Sequence, residues 1–190
     1  ALSGTFNTVL DVDSTSFLTS LTVSGGAADH TLTTGTAFAN ATVDMSGVAS
    51  NITFTTGGGT QTVTTGSGDD TITMNAGVKT VNLGGGDDTL VTTVAQLGTA
   101  AASWDSINAG EGTDLLSLSG ASAVSAEAAL NISGFERLDL TAATGVITQN
   151  MSVFSDSFAR ITIGDTNDNL VTLTNVASGF SDLRSTDPGT

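Results

Sequence analysis

The chain has 190 residues, with 19 acidic against 4 basic side chains, 23 glycines, one proline, no cysteine and no tyrosine. A net charge of -15 excludes nucleic acid and anionic membrane as partners, since either needs clustered Lys or Arg, and Lys79, Arg137, Arg160 and Arg184 are widely separated along the chain. Without cysteine there is no disulfide scaffold, thiolate zinc site or cysteine nucleophile. An apolar fraction of 38% with only 12% charged residues and many Gly, Thr, Ser and Ala reads as a secreted, β-rich surface protein. No stretch of about 18 apolar residues is present, so no membrane insertion is expected. The chain opens at Ala1 with neither a charged nor an apolar leader, and is read as a mature form or an excised segment.

The expected architecture is one all-β domain over 1–190, a right-handed parallel β-helix or β-roll solenoid. Residues 1–53 form its N-terminal rungs. Leu18-Thr19-Ser20-Leu21-Thr22-Val23 is read there as an early relative of a Phe-x-x-apolar repeat found later. Asp29-His30 holds the only histidine. With no G-x-S-x-G elbow in the chain, the dipeptide reads as a surface loop and not as a catalytic pair.

The block 54–120 carries a fixed period. Apolar residues recur at Phe54, Val63, Ile72, Val81 and Leu90, a spacing of nine, each inside a polar-apolar-polar triplet. Each triplet predicts a strand of about three residues with one side chain inward and two outward. Glycine-rich turns separate them. Two strands per coil give an 18-residue rung, and successive rungs stack at about 4.8 Å. Gly66-Ser67-Gly68-Asp69-Asp70 then lies against Gly84-Gly85-Gly86-Asp87-Asp88. Stacked carboxylates repel by roughly 3 kcal/mol at an effective dielectric near 20, so a counter-charge is expected between them. On the other edge Gln61 and Lys79 take the equivalent places, leaving one acidic edge.

Gly110-Glu111-Gly112-Thr113-Asp114 restores the acidic turn 26 residues after Gly86-containing repeat positions, not 18, which predicts an eight-residue inserted loop around Trp104. Ala123 to Leu130 is the one predicted helix, about two turns, covering an end or edge of the coil. Over 121–190, Phe135, Phe158 and Phe180 open Phe-x-x-apolar segments at intervals of 23 and 22, which predict wider β-helix rungs. Gly164-Asp165-Thr166-Asn167-Asp168 is a weaker acidic turn.

The two turns GSGDDTI and GGGDDTL fit the core of the calcium-binding nonapeptide G-G-x-G-x-D-x-U-x, with Thr65 and Leu83 in place of the leading glycine. Calcium takes six to eight hard oxygens, which glycine-turn carbonyls and one Asp per rung can supply. The expected ligand set is Asp70 and Asp88, flanked by Asp69 and Asp87, with carbonyls near Gly66, Gly68, Gly84 and Gly86. A second ion is expected between the 84–88 turn and Gly112 with Asp114, and Asp168 is a further candidate. The alternative for these aspartates is simple capping of tight turns. A carbohydrate-cleaving carboxylate pair is disfavoured by the single Trp and absent Tyr. The Thr-x-Thr triplets read as an ordinary solvated strand face, not as an ice-binding array.

The run from Phe54 to Leu140, containing GSGDDTI, GGGDDTL, GEGTDLL and SGFERLDL, resembles the calcium-binding region of RTX-type bacterial S-layer proteins of the Caulobacter type. The match covers about half of the chain. The resemblance implies a non-enzymatic, secreted structural protein on a Gram-negative cell surface, exported by a type I system and self-associating into a two-dimensional lattice with calcium as its cofactor. It places calcium ligation on Asp70, Asp88 and Asp114 and their turn glycines. The alternative on the same scaffold is an RTX adhesin or extracellular ligand-binding module, with Trp104 in the 94–106 loop as a contact and a cell-surface glycan as partner.

Overall fold

The computed structural model describes residues 2–3, 19–25, 28–33, 40–97, 105–155, 158–164, 171–178 and 180–185. Among these, the chain winds as a β-solenoid of parallel strands. One sheet has seven strands: β1 (Leu2–Ser3), β2 (Ser20–Ser24), β4 (Ala41–Gly47), β6 (Gln61–Thr64), β8 (Lys79–Asn82), β10 (Ser106–Asn108) and β12 (Ile132–Ser133). The facing sheet has eight: β3 (His30–Thr33), β5 (Ile52–Thr55), β7 (Thr71–Thr73), β9 (Thr89–Thr93), β11 (Leu115–Ser119), β13 (Arg137–Leu140), β15 (Arg160–Ile163) and β17 (Asp182–Ser185). From β2 to β13 the chain alternates between the two, two strands per coil.

The apolar residue of each triplet sets the register. Phe54, Ile72 and Leu90 are direct cross-strand partners, as are Val63 and Val81, so the 18-residue rung is present. Leu90 then pairs with Leu116 and Val81 with Ile107, both 26 residues on: the inserted residues leave the stacking intact on both sheets. Leu116, Leu138, Ile161 and Leu183 follow at 22, 23 and 22 residues, the wider rungs of the C-terminal part. These two apolar columns face each other as the core. Burying each such side chain contributes about 1.5–3 kcal/mol.

Several local expectations change. The strands of the 18-residue block are mostly four residues long with a buried-exposed-buried pattern, so the first strand residue also points inward. This brings Gln61 and Lys79 into the interior. Thr65 and Leu83, which replace the leading glycine of the motif, are buried as well and fill core positions a glycine would leave empty. Leu21 pairs with Val43 in the seven-stranded sheet, so the segment around it does not belong to the column of the later Phe-x-x repeats. Leu18 lies outside the described residues. The helix is a single turn, α1 (Ala126–Ala129), capped by Ser125 Oγ accepting the Ala128 N–H at 3.2 Å. Ala128 and Ala129 enter the core, so α1 fills a corner of one rung between β11 and β12 and covers no end. β14 (Ile147–Asn150) and β16 (Val171–Thr174) make a separate two-stranded parallel sheet. Outward Thr31-x-Thr33, Thr53-x-Thr55 and Thr71-x-Thr73 stack in register, three rungs deep, and Thr89-x-Val91 ends the array.

Candidate functional site

The residue just before each strand of the eight-stranded sheet falls in one column along an edge of the coil. The register of Thr71, Thr89, Leu115 and Arg137 places Asp70, Asp88, Asp114 and Glu136 above one another, about one strand spacing apart. Asp70, Asp88 and Asp114 are 1%, 0% and 0% exposed. One oxygen of each carboxylate reaches back to the preceding rung. Asp70 Oδ1 accepts the Ile52 N–H at 2.8 Å, Asp88 Oδ1 accepts the Asp70 N–H at 2.7 Å, and Asp114 Oδ1 accepts the Asp88 N–H at 2.7 Å. Glu136 Oε2 continues the series on the Asp114 N–H at 2.9 Å. These bonds satisfy buried amides. The second oxygen, Oδ2 of Asp70, Asp88 and Asp114, is buried with no hydrogen-bond partner.

An outer column runs beside it in the opposite sense. Asn51 Oδ1 accepts the Asp69 N–H at 2.9 Å, Asp69 Oδ1 the Asp87 N–H at 2.8 Å, and Asp87 Oδ1 the Thr113 N–H at 2.9 Å. Asp69 and Asp87 are exposed, so water screens their charges. Each acidic turn therefore grips the rung before it with an inner carboxylate and the rung after it with an outer one. Gly66, Gly84 and Gly110 form a third column in which each glycine Cα sits against the backbone of the rung before: Val48, Gly66 and Gly84.

Burial raises the carboxyl of Asp88 to about 7; the hydrogen bond from the Asp70 amide opposes this, and the charges of Asp70 and Asp114 add to it. Burial likewise pushes Asp70 and Asp114 up from the ordinary carboxylate range. On the other edge burial takes Asp105 to about 6, against the Lys79 amide and ammonium. The sign of the pH dependence follows. Above about 7 these groups are ionised in both folded and unfolded chains, and folding carries the whole burial cost. Between about 7 and 3.8 the folded chain holds protons that the unfolded chain does not, so stability rises as pH falls. In calcium-free buffer the melting temperature is expected to be higher at pH 5 than at pH 8 by about 5 °C or more, measured by circular dichroism. A flat profile would show that the seam carries no unbalanced charge.

The opposite edge carries its own cation. Lys79 is fully buried; its Nζ donates to Gly59 O at 2.5 Å and Ala76 O at 2.8 Å, and its backbone N–H donates to Asp105 Oδ1 at 2.6 Å. Burial lowers the ammonium's pKa, and the Asp105 charge raises it. An ammonium and a carboxylate thus stack on successive rungs, and this edge is balanced internally where the acidic one is not. His30 is buried at the start of β3, aligned with Ile52 and so at the foot of the aspartate column, not in a surface loop.

Sequence reasoning missed Glu136, Asn51 and the Lys79–Asp105 pair. Glu136 was signalled by its place 22 residues after Asp114, the length of that rung; the others have no period to announce them. Asp168 and the loop residue Trp104 lie outside the described residues.

Among the described residues no three carboxylate or imidazole groups converge on one point. A cation in the seam would therefore sit between the carboxylates of two successive rungs, with backbone carbonyls completing its shell. Gly66 O and Gly84 O already accept the Gly85 and Glu111 N–H groups at 3.0 Å, which leaves each a second lone pair. The remaining donors are all hard oxygens, chemistry that suits a hard divalent cation. The chain matches no protein-family model, no curated protein and no solved structure.

Proposed function

We propose that this chain is a calcium-stabilised β-solenoid segment of a secreted bacterial surface-layer protein, structural and not enzymatic, that assembles into a two-dimensional lattice. The observation that carries the calcium part is the column of buried, unpartnered Oδ2 atoms on Asp70, Asp88 and Asp114. Stacked about 4.8 Å apart, these carboxylates repel by roughly 3 kcal/mol per neighbouring pair at an effective dielectric near 20. A divalent ion between rungs would reverse the sign of that term. At submicromolar calcium the seam is repulsive and the rungs are destabilised, which suits export before folding. At calcium 100-fold above its dissociation constant each filled site contributes about 2.7 kcal/mol, and two such sites decide whether the block folds. The lattice part rests on the resemblance of the GSGDDTI, GGGDDTL, GEGTDLL and SGFERLDL run to RTX-type S-layer proteins.

Circular dichroism in millimolar calcium and in excess chelator tests the first part. The expected result is a melting temperature at least 10 °C higher in calcium, from about 5 kcal/mol over two sites, with about two ions bound per chain by calorimetry. Identical melting in both would remove calcium from the account. Electron microscopy tests the second: ordered sheets on adding calcium support the lattice, and a persistent monomer that retains a glycan ligand supports an adhesin instead.

A further inference from the structure

Three of the four basic side chains of this acidic protein are brought to one patch of the eight-stranded sheet. Arg137 and Arg160 are cross-strand partners, and Arg160 in turn pairs in register with Asp182. Arg184 stands two residues along from Asp182 on the same strand. Separated by 23 and 24 residues in sequence, these side chains look scattered, but those intervals are close to one rung of the coil. Two guanidinium groups stacked on neighbouring strands repel unless an anion lies beside them.

Only part of that charge is answered. Asp182 Oδ2 accepts Arg160 Nε at 2.8 Å and Arg184 Nε at 2.9 Å, and these two arginines hold its carboxyl below the usual range. One carboxylate thus balances two guanidinium groups. Arg137 has no carboxylate within ion-pair distance among the described residues: it donates through Nη2 to Thr113 O, and its Nε is buried with no hydrogen-bond partner. The nearest acid in sequence, Glu136, is turned to the preceding rung, where it accepts the Asp114 N–H. Between the two stacked arginines lies a recess of about 300 Å³ bordered by Thr113, Arg137, Ala159, Arg160, Ser181 and Asp182.

We propose that this recess binds a compact oxyanion, a carboxylate or sulfate group, bridging Arg137 and Arg160. Planar forks of N–H donors match oxyanions with two acceptor oxygens, and the volume admits one such group with little attached beyond a single sugar ring. The site uses none of the aspartate oxygens of the seam, so it stands or falls apart from the calcium reading. Its chemistry is shared by free inorganic anions and by acidic sugars.

The test is a melting and calorimetric titration of the full chain at fixed calcium and fixed ionic strength, replacing sodium chloride by sodium sulfate or sodium glucuronate, with glucose as the neutral control. Saturable binding of either anion, with a dissociation constant on the order of millimolar and no response to glucose, is expected. Sulfate as good as glucuronate identifies a simple oxyanion site; glucuronate tighter by tenfold identifies an acidic sugar. Arg137→Gln and Arg160→Gln are each expected to weaken binding at least tenfold, and Arg184→Gln less than threefold. Arg160, 41% exposed, keeps the test decisive if Arg137→Gln misfolds. Equal responses to glucose and glucuronate, unchanged binding in Arg160→Gln, or a response that tracks dimerisation in sedimentation would each overturn the proposal, the last assigning the patch to a second copy of the chain.

Discussion

Replacing Gly110 by alanine is expected to destabilise the solenoid by roughly 3–5 kcal/mol, lowering the melting temperature by about 10 °C. Gly110 has φ +103, and a Cβ built there lies 2.8 Å from Gly84 C and 3.2 Å from Gly84 N, with Gly84 O closer still. The obstructing atoms are backbone, so no side-chain rotation relieves the clash. The rungs must part locally, and the Glu111 N–H to Gly84 O bond goes with them. Gly145→Ala separates backbone strain from crowding, because Gly145 has φ +80 and nothing within 4 Å of the added carbon. That variant is expected to lose only about 1–2 kcal/mol. Equal losses at the two positions would show that conformational freedom, and not close stacking, is what the turn glycines supply. The steric role holds whether or not a cation is bound, and it explains why glycines recur in the acidic turns independently of any carbonyl ligand.

The period of the fold was legible because it is carried by short local signals that repeat: Thr-apolar-Thr, then glycine, every nine residues. A strict spacing through Phe54, Ile72 and Leu90 leaves only one register that keeps all apolar residues inside, and the structure has that register. The eight inserted residues and the 22- and 23-residue rungs were legible for the same reason. What the period does not carry was missed. Lys79 is interior because the carbonyls of Gly59 and Ala76 and the carboxylate of Asp105 happen to receive it, and those partners come from different rungs. The two strands of a rung share one polar-apolar alternation, so the pattern around Leu21 could not reveal which sheet it joins. The arginine patch was hidden differently. Arg137 and Arg160 each follow a Phe by two residues, in Phe135-Glu136-Arg137 and Phe158-Ala159-Arg160, so the alignment that predicted the wide rungs already stacked them, although the chain as a whole reads as having dispersed cations.

Asp88→Asn is expected to change stability in opposite directions with and without calcium. Asp88 lies in the middle of the seam, between Asp70 and Asp114, and its Oδ1 satisfies the buried Asp70 amide. Asparagine keeps that acceptor and the shape of the side chain, removes the charge, and sets an NH2 donor where the unpartnered Oδ2 lies. In chelator at pH 8 the variant loses two repulsive neighbours and the cost of burying an ionised group, so it gains about 2–3 kcal/mol. In millimolar calcium it loses a charged ligand shared by adjacent ions, and falls below the wild type by about 3 kcal/mol or more. Asp69→Asn, on the exposed outer column, serves as the control and is expected to shift by less than about 0.5 kcal/mol in either buffer. Denaturant melts of the three proteins in both buffers check this. If Asp88→Asn is the more stable protein in calcium as well, protons and not a divalent ion neutralise the seam, and the wild type should then soften steadily from pH 5 to pH 8 whatever the calcium concentration. If the sign reverses between buffers, the unpartnered oxygens belong to a cation, because no redistribution of protons makes loss of one carboxylate harmful only when calcium is present.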